Sequence, residues 1–289
     1  MTHLAIGVLL AALLPPARGG VLIAYESDLE AYTQAFDGVK AGLNSSQYRA
    51  IDIGDKTAAS GLRDALGARD INVVVAIGGR ALDEVRTRKT AVPVVASMVL
   101  GRAEGATSRV DLEVPLAVQL GAMRELYPRR LRVGMIRNPE HAGRPADELA
   151  QIARNEGYTA GVGESAGPAQ LLKAVATLKG KVDFLLAIPD PALYNAATIK
   201  PLLLAAIEDR LPIIGFSPAL VRAGAAAGIY PDYRGIGLQA AQLAARLARG
   251  EAAPDMEAPA RVQITVNSRV ARLLGVEFRT DAPLVEVLR

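Results

Sequence analysis

The chain has no cysteine, no tryptophan and only two histidines. Without cysteine there is no disulfide, no thiol nucleophile, no iron-sulfur ligation and no thiolate zinc site. The lipid-modified cysteine of a lipoprotein is excluded with them. His3 lies in an N-terminal segment expected to be removed, which leaves His141, in a predicted loop, as the sole imidazole. No H-E-x-x-H helix accompanies it, so catalysis of the zinc-hydrolase or triad type has little to build on. The strict G-x-G-x-x-G fingerprint is missing as well, and no cofactor is expected. Aromatics make up only 4% of the chain, no Lys/Arg run or basic stripe is present, and the net charge is +3 over 289 residues. Nucleic acid is therefore not an expected partner.

What is present is apolar. Hydrophobic residues reach 51% and charged residues 22%, enough for one large core or two ordinary ones and unlike a disordered chain. Residues 4–14 form an apolar run followed by Pro15-Pro16 and small residues up to Gly20. The run is shorter than the roughly 20 residues that span a bilayer and reads as a secretory signal peptide over residues 1–19, with Ala17 at the minus-three position of a cut after Gly19. The mature protein is then exported, periplasmic and soluble.

From Val21 onward, apolar strand-like runs alternate with helix-like stretches. Strands are predicted at 21–25, 48–53, 73–77 and 92–96, with helices at 28–42, 58–66 and 81–88 between them. After Thr107 the rhythm weakens. It restarts with helices at 115–126, 145–156, 169–178 and 197–209 and strands at 131–136, 158–162, 182–188 and 211–217. This is the pattern of parallel sheets covered by helices, repeated as two α/β lobes with Rossmann-like sheets. Residues 250–259, rich in Ala, Pro and acids, are the one predicted linker.

Residues 211–250 carry the most information. A strand ending in Phe216-Ser217 is followed by a second at 225–229, which enters a predicted turn at Tyr230-Pro-Asp-Tyr233. An amphipathic helix with Ile236, Ala240, Leu243 and Leu247 on its apolar face comes next, and Gly250 is placed to end it in a left-handed cap. Open parallel sheets bind ligands beyond the carboxyl ends of their strands, so the strand ends are the candidate site. They present Tyr25, Glu26, Gly79, Arg80 and Ser97 in the first lobe, and Asn138, Asp190, Phe216, Ser217, Tyr230 and Asp232 in the second. Gly78-Gly79-Arg80 offers backbone N–H groups and a guanidinium to a small anion, or is a tight turn with Arg80 in solvent. Asp190 and Asp232 can accept from a ligand ammonium or hydroxyl, although Asp190 precedes Pro191 and also fits a turn. Tyr25 and Tyr230 can stack on a planar ligand group or make half-buried lobe contacts. Asn138 is either part of a ligand loop or a helix cap.

Several segments, in this order, resemble the ABC-transporter substrate-binding proteins of the periplasmic-binding-protein type I fold, in the branch that includes aromatic-amino-acid binders. They are Val74-Val-Ala-Ile-Gly-Gly-Arg-Ala81, Tyr127-Pro128, Leu131-Arg-Val-Gly-Met-Ile-Arg-Asn-Pro-Glu140, Lys181-Val-Asp-Phe-Leu-Leu-Ala-Ile-Pro-Asp190, Leu211-Pro-Ile-Ile-Gly215, residues 224–237 and residues 267–275. The resemblance implies two lobes, 20–108 plus 231–260 and 109–230 plus 261–289. It implies hinge crossings near 106–110, 230–232 and 260–263, and a small-molecule ligand between the lobes. It further implies an ABC permease as partner, a monomer, and no enzymatic activity. Two departures set this chain apart: Gly79-Arg80 stands where the family has Thr-Pro, and residues 92–101 lack the usual Asp-Pro. A periplasmic sensor or adaptor of the same fold, and an α/β enzyme built on paired carboxylates, stay open as alternatives.

Overall fold

The structure, a computed structural model, describes residues 20–43, 48–140, 144–281 and 285–288. The leader expected at 1–19 and His141 lie outside them. The chain begins with β1 (Gly20–Tyr25), whose six residues are buried up to Ala24 and half-buried at Tyr25. A run this apolar, without alternation, is the mark of a parallel strand covered on both faces. Helix α1 (Glu30–Leu43) buries Ala35, Gly38, Val39 and Leu43, β2 (Tyr48–Asp52) pairs with β1, and Asp55 caps α2 (Lys56–Ser60). The single helix expected over 58–66 is two short ones, because the chain breaks at Gly61 before α3 (Leu62–Leu66). Then follow β3 (Ile71–Ile77), α4 (Gly79–Thr87), β4 (Val94–Ser97) and β5 (Ser108–Val110).

The second run of elements comprises α5 (Leu116–Leu126), β6 (Arg132–Arg137), α6 (Ala146–Asn155), β7 (Thr159–Glu164), α7 (Pro168–Ala176), β8 (Phe184–Leu186) and α8 (Ile199–Glu208). It continues with β9 (Ile213–Gly215), α9 (Pro218–Ala223), β10 (Ala227–Pro231), α10 (Tyr233–Ala248) and β11 (Met256–Glu257), and ends with β12 (Val262–Asn267), α11 (Ser268–Leu274) and β13 (Val285–Leu288). The turn expected at Tyr230-Pro-Asp-Tyr233 is not a separate element. Tyr230 and Pro231 complete β10, and Tyr233 already opens α10, with Ile236 N–H donating to the Asp232 carbonyl at 2.8 Å. The expected linker at 250–259 contains β11.

Two sheets result, with strand orders β11-β5-β4-β3-β1-β2 and β13-β12-β10-β9-β8-β6-β7. The pairings of β1 through β4, and of β6 through β10, are parallel, whereas β10 and β12 run antiparallel. The described residues group into two units, one from the chain up to Arg109 with Gly237–Asp255, the other from Val110–Ile236 with the chain from Met256 onward. In the first unit, one face of the sheet is packed by Leu22, Ala24, Val74, Ala76, Leu62 and Val85. The sheet of the second unit is covered on both faces: Met135, Phe184 and Ile214 pack under α5 and α6, and Ile136, Leu185 and Ile213 under α7 and α8. Each fully buried aliphatic or aromatic side chain of this kind contributes about 1.5–3 kcal/mol.

Candidate functional site

In the first unit, parallel β1, β3 and β4 end side by side. Register places Ile77 opposite Ser97, and the Gly78 N–H donates to the Ser97 carbonyl at 2.9 Å. β3 must turn into α4 within one residue, and Gly78 does so at φ +95 and ψ 155. A Cβ on Gly78 would also lie 2.8 Å from the Tyr32 ring, so both backbone and packing require glycine there. Gly79, the first helical residue, faces open space. No side chain caps α4, which leaves its leading N–H groups without side-chain acceptors.

At this edge the Arg80 guanidinium donates to the Glu26 carboxylate at 2.8 Å. Glu26 is only 8% exposed, whereas the Arg80 side chain is 58% exposed. Burial pushes the Tyr32 hydroxyl upward in pKa, and the Glu26 and Asp28 charges add to it. Ser97, fully buried, carries a hydroxyl without a hydrogen-bond partner among the described residues. The next residue, Met98, is held at φ +57, a conformation costly for a side chain with a Cβ. A buried carboxylate paired with an exposed cation, an orphan hydroxyl, an uncapped helix start and a strained residue therefore lie at the carboxyl ends of neighbouring strands. Tyr25 packs against α1. Its ring stacks on Phe36 at 4.1 Å and 3°.

The second unit's expected residues lie at the carboxyl ends of parallel β6, β8, β9 and β10. Most are engaged by their own backbone. Asp190 accepts from the N–H groups of Ala192 (2.8 Å) and Leu193 (3.1 Å), and Ser217 caps α9 by accepting from Leu220 at 3.3 Å. Asn138 is buried and accepts from Glu140 N–H at 3.0 Å, closing a turn well before α6 begins. Asp232 leads into α10. Tyr230, 3% exposed, shares a hydrogen bond of 2.5 Å with Thr265 and stacks on Tyr233 at 6.0 Å. Phe216 meets Tyr194 edge-on at 5.7 Å. The Tyr194 hydroxyl is buried without a partner among the described residues, and burial, then the Asp190 charge, raise its pKa.

One feature escapes a sequence reading, and a second is legible in the sequence but was missed. Tyr32 sits in the first turn of α1, where nothing in the local pattern marks it as covering the Gly78 turn. Gly163-Glu-Ser165-Ala-Gly167 fits the G-x-S-x-G nucleophile pattern and stands between β7 and α7. Ser165 is nevertheless fully buried, and its hydroxyl donates to the Gly167 carbonyl at 2.7 Å, the geometry of a turn rather than an exposed nucleophile.

The profile of the ABC transporter substrate binding protein family matches residues 24–282. The chain belongs to that family. No curated protein matches it in sequence. Among solved structures it is similar to the ligand-free, open form of a substrate binding protein with adhesive properties from Clostridium difficile, with a TM-score of 0.72 at 16% identity, covering 94% of this chain and 99% of that one. It is similar to an ABC domain in complex with L-Trp from Streptococcus pneumonia, with a TM-score of 0.59 at 15% identity, covering 94% and 100%. A periplasmic ribose ABC transporter from Conexibacter woesei aligns with a TM-score of 0.51 at 15% identity, over 90% and 96%. These likenesses establish the fold, the type I periplasmic-binding architecture with two mostly parallel sheets. Among the described residues of this substrate-binding protein, no helix is long and apolar enough to cross a membrane.

Proposed function

We propose that the protein is a periplasmic solute-binding protein that captures a small polar or zwitterionic molecule, amino-acid-like by preference, and delivers it to an ABC permease in the inner membrane. On this reading the lobes are 20–108 plus 231–260 and 109–230 plus 261–289, the ligand is held by strand-end residues of both, and binding energy drives closure about the three crossings. The observation that carries the ligand class is the Glu26–Arg80 pair at the same carboxyl ends of the β1-β3-β4 strands as the unpartnered Ser97 hydroxyl. A buried acceptor, a cation and a free hydroxyl at an uncapped helix start match the ammonium and carboxylate of an amino acid.

A thermal-shift screen of the mature protein against amino acids, small peptides, nucleosides and sugars tests the proposal. A bound ligand at 100 times its Kd stabilises by about 2.7 kcal/mol, a rise of several degrees. The absence of any shift at millimolar concentration across all four classes overturns it.

A further inference from the structure

The Glu26–Arg80 contact joins a buried residue to an exposed one. Glu26 is nearly buried just after β1, and it pairs with a guanidinium that is more than half exposed. A buried carboxylate that loses its paired cation is strongly disfavoured, because desolvation is no longer offset by attraction. A ligand that is only an anion can recruit Arg80 only by drawing it away from Glu26 or by lying beside that negative charge. A ligand that is only a cation can take Glu26 only by displacing Arg80 and leaving it without a counter-ion. A zwitterion meets neither obstacle: its cation pairs with Glu26 while its anion pairs with Arg80 and the leading N–H groups of α4, and all four charges stay matched.

Resting on the ligand-binding reading above, we infer that Glu26 and Arg80 form a charge filter that admits zwitterions and rejects singly charged analogues of the same shape. Selectivity then comes from the penalty each analogue incurs at the residue it leaves unpaired, in addition to attraction for the right ligand. Arg80 is the cation that a ligand ammonium would replace at Glu26. Gly79 contributes by its lack of a side chain, since the space over the first turn of α4 is open.

The test compares three matched series by thermal shift and calorimetry: the L-amino acids, their C-terminal amides, and the corresponding carboxylic acids without the amino group. The wild-type protein binds at least one amino acid, with its amide and its deaminated acid each weaker by at least about tenfold, equivalent to 1.4 kcal/mol. In Glu26→Gln the preference for the amino acid over the deaminated acid collapses toward one. In Arg80→Met the preference for the amino acid over the amide collapses instead. Glu26→Asp and Arg80→Lys keep the charges and retain both preferences, which separates the filter from a folding defect. Equal wild-type affinity for an amino acid and its amide overturns the filter, and so does a uniform loss across the three series in both neutralised variants. Stabilisation by sugars or nucleosides but by no zwitterion overturns the filter and leaves small-ligand capture standing. No stabilisation by any compound overturns capture itself.

Discussion

A Cβ added to Gly237 would lie 1.9 Å from the carbonyl oxygen of Ala35, so α10 and α1 cross with their backbones in contact. The neighbouring crossing point pairs Gly42 with Ala241, where an added Cβ would come within 2.6 Å of the Ala241 methyl. Glycine inside a helix costs about 1 kcal/mol relative to alanine. The close packing of these two helices outweighs that cost. Gly237→Ala is expected to push the helices apart and to lower stability by about 1–3 kcal/mol, as overpacking does. The urea midpoint should fall, with a smaller drop for Gly42→Ala, and a Gly237→Ala midpoint at or above that of the wild type contradicts the crossing.

Adjacent glycines at the start of α4 are expected to behave differently. Gly78→Ala combines a left-handed backbone with a clash against Tyr32 and should lose about 2–3 kcal/mol. Gly79→Ala points its methyl into open space and should stay within about 0.5 kcal/mol of the wild type. Paired melting curves of the two variants check this, and similar losses in both refute it.

Ser97→Ala removes a buried hydroxyl that has no partner. In the ligand-free protein the change should be neutral or stabilising by up to about 1 kcal/mol, because an unsatisfied polar group is replaced by a methyl. The ligand-induced thermal shift should shrink in the same variant. A ligand-free protein destabilised by more than 1 kcal/mol shows instead that the hydroxyl is satisfied.

Asp183 anchors the start of β8. Its side chain, 7% exposed, accepts from the Arg132 backbone at 3.0 Å and from the Arg132 guanidinium at 2.8 Å, with Arg130 at 3.6 Å. Burial alone would raise its pKa, but the hydrogen bonds from Arg132 and the nearby Arg130 charge outweigh it and hold the carboxyl below the usual carboxylate range. A depressed folded-state pKa adds stability that is present above the unfolded value of about 3.9 and is lost as the pH falls through the folded value. Asp183→Asn should therefore cost stability at pH 7, by about 1–3 kcal/mol, and the gap to the wild type should narrow by pH 3. Denaturation at both pH values measures it, and a gap independent of pH refutes the assignment.

The parts of the fold legible in the sequence are those set by short-range pattern. The apolar runs at 21–25 and 73–77 mark buried parallel strands because such strands lack alternation. Gly250, at φ +74, follows α10 where a left-handed residue is needed. The pattern did not reveal β5, β11 or β13, which are two to four residues long, too short to show a period, and the six-residue β12 was not expected either. The break at Gly61 was hidden for a related reason: the apolar spacing runs on across it, and only the cap geometry separates α2 from α3. In the site, residue types and strand-end positions were readable, but their engagements were not. Asp190 and Ser217 fit a ligand or a local N–H group equally well until the backbone that follows them is placed.

The sequence by itself determined the two α/β halves, the parallel sheets and the family, because hydrophobic periodicity and ordered local motifs survive without coordinates. Tertiary structure alone decided that Glu26 and Arg80, 54 positions apart, form one ion pair, since that requires β1 and β3 to lie side by side and Gly78 to turn the chain. It alone decided that the Ser97 hydroxyl is left over while those of Ser217 and Tyr230 are used. Satisfaction of a buried polar group depends on every atom within hydrogen-bond reach, and most of those atoms come from distant parts of the chain.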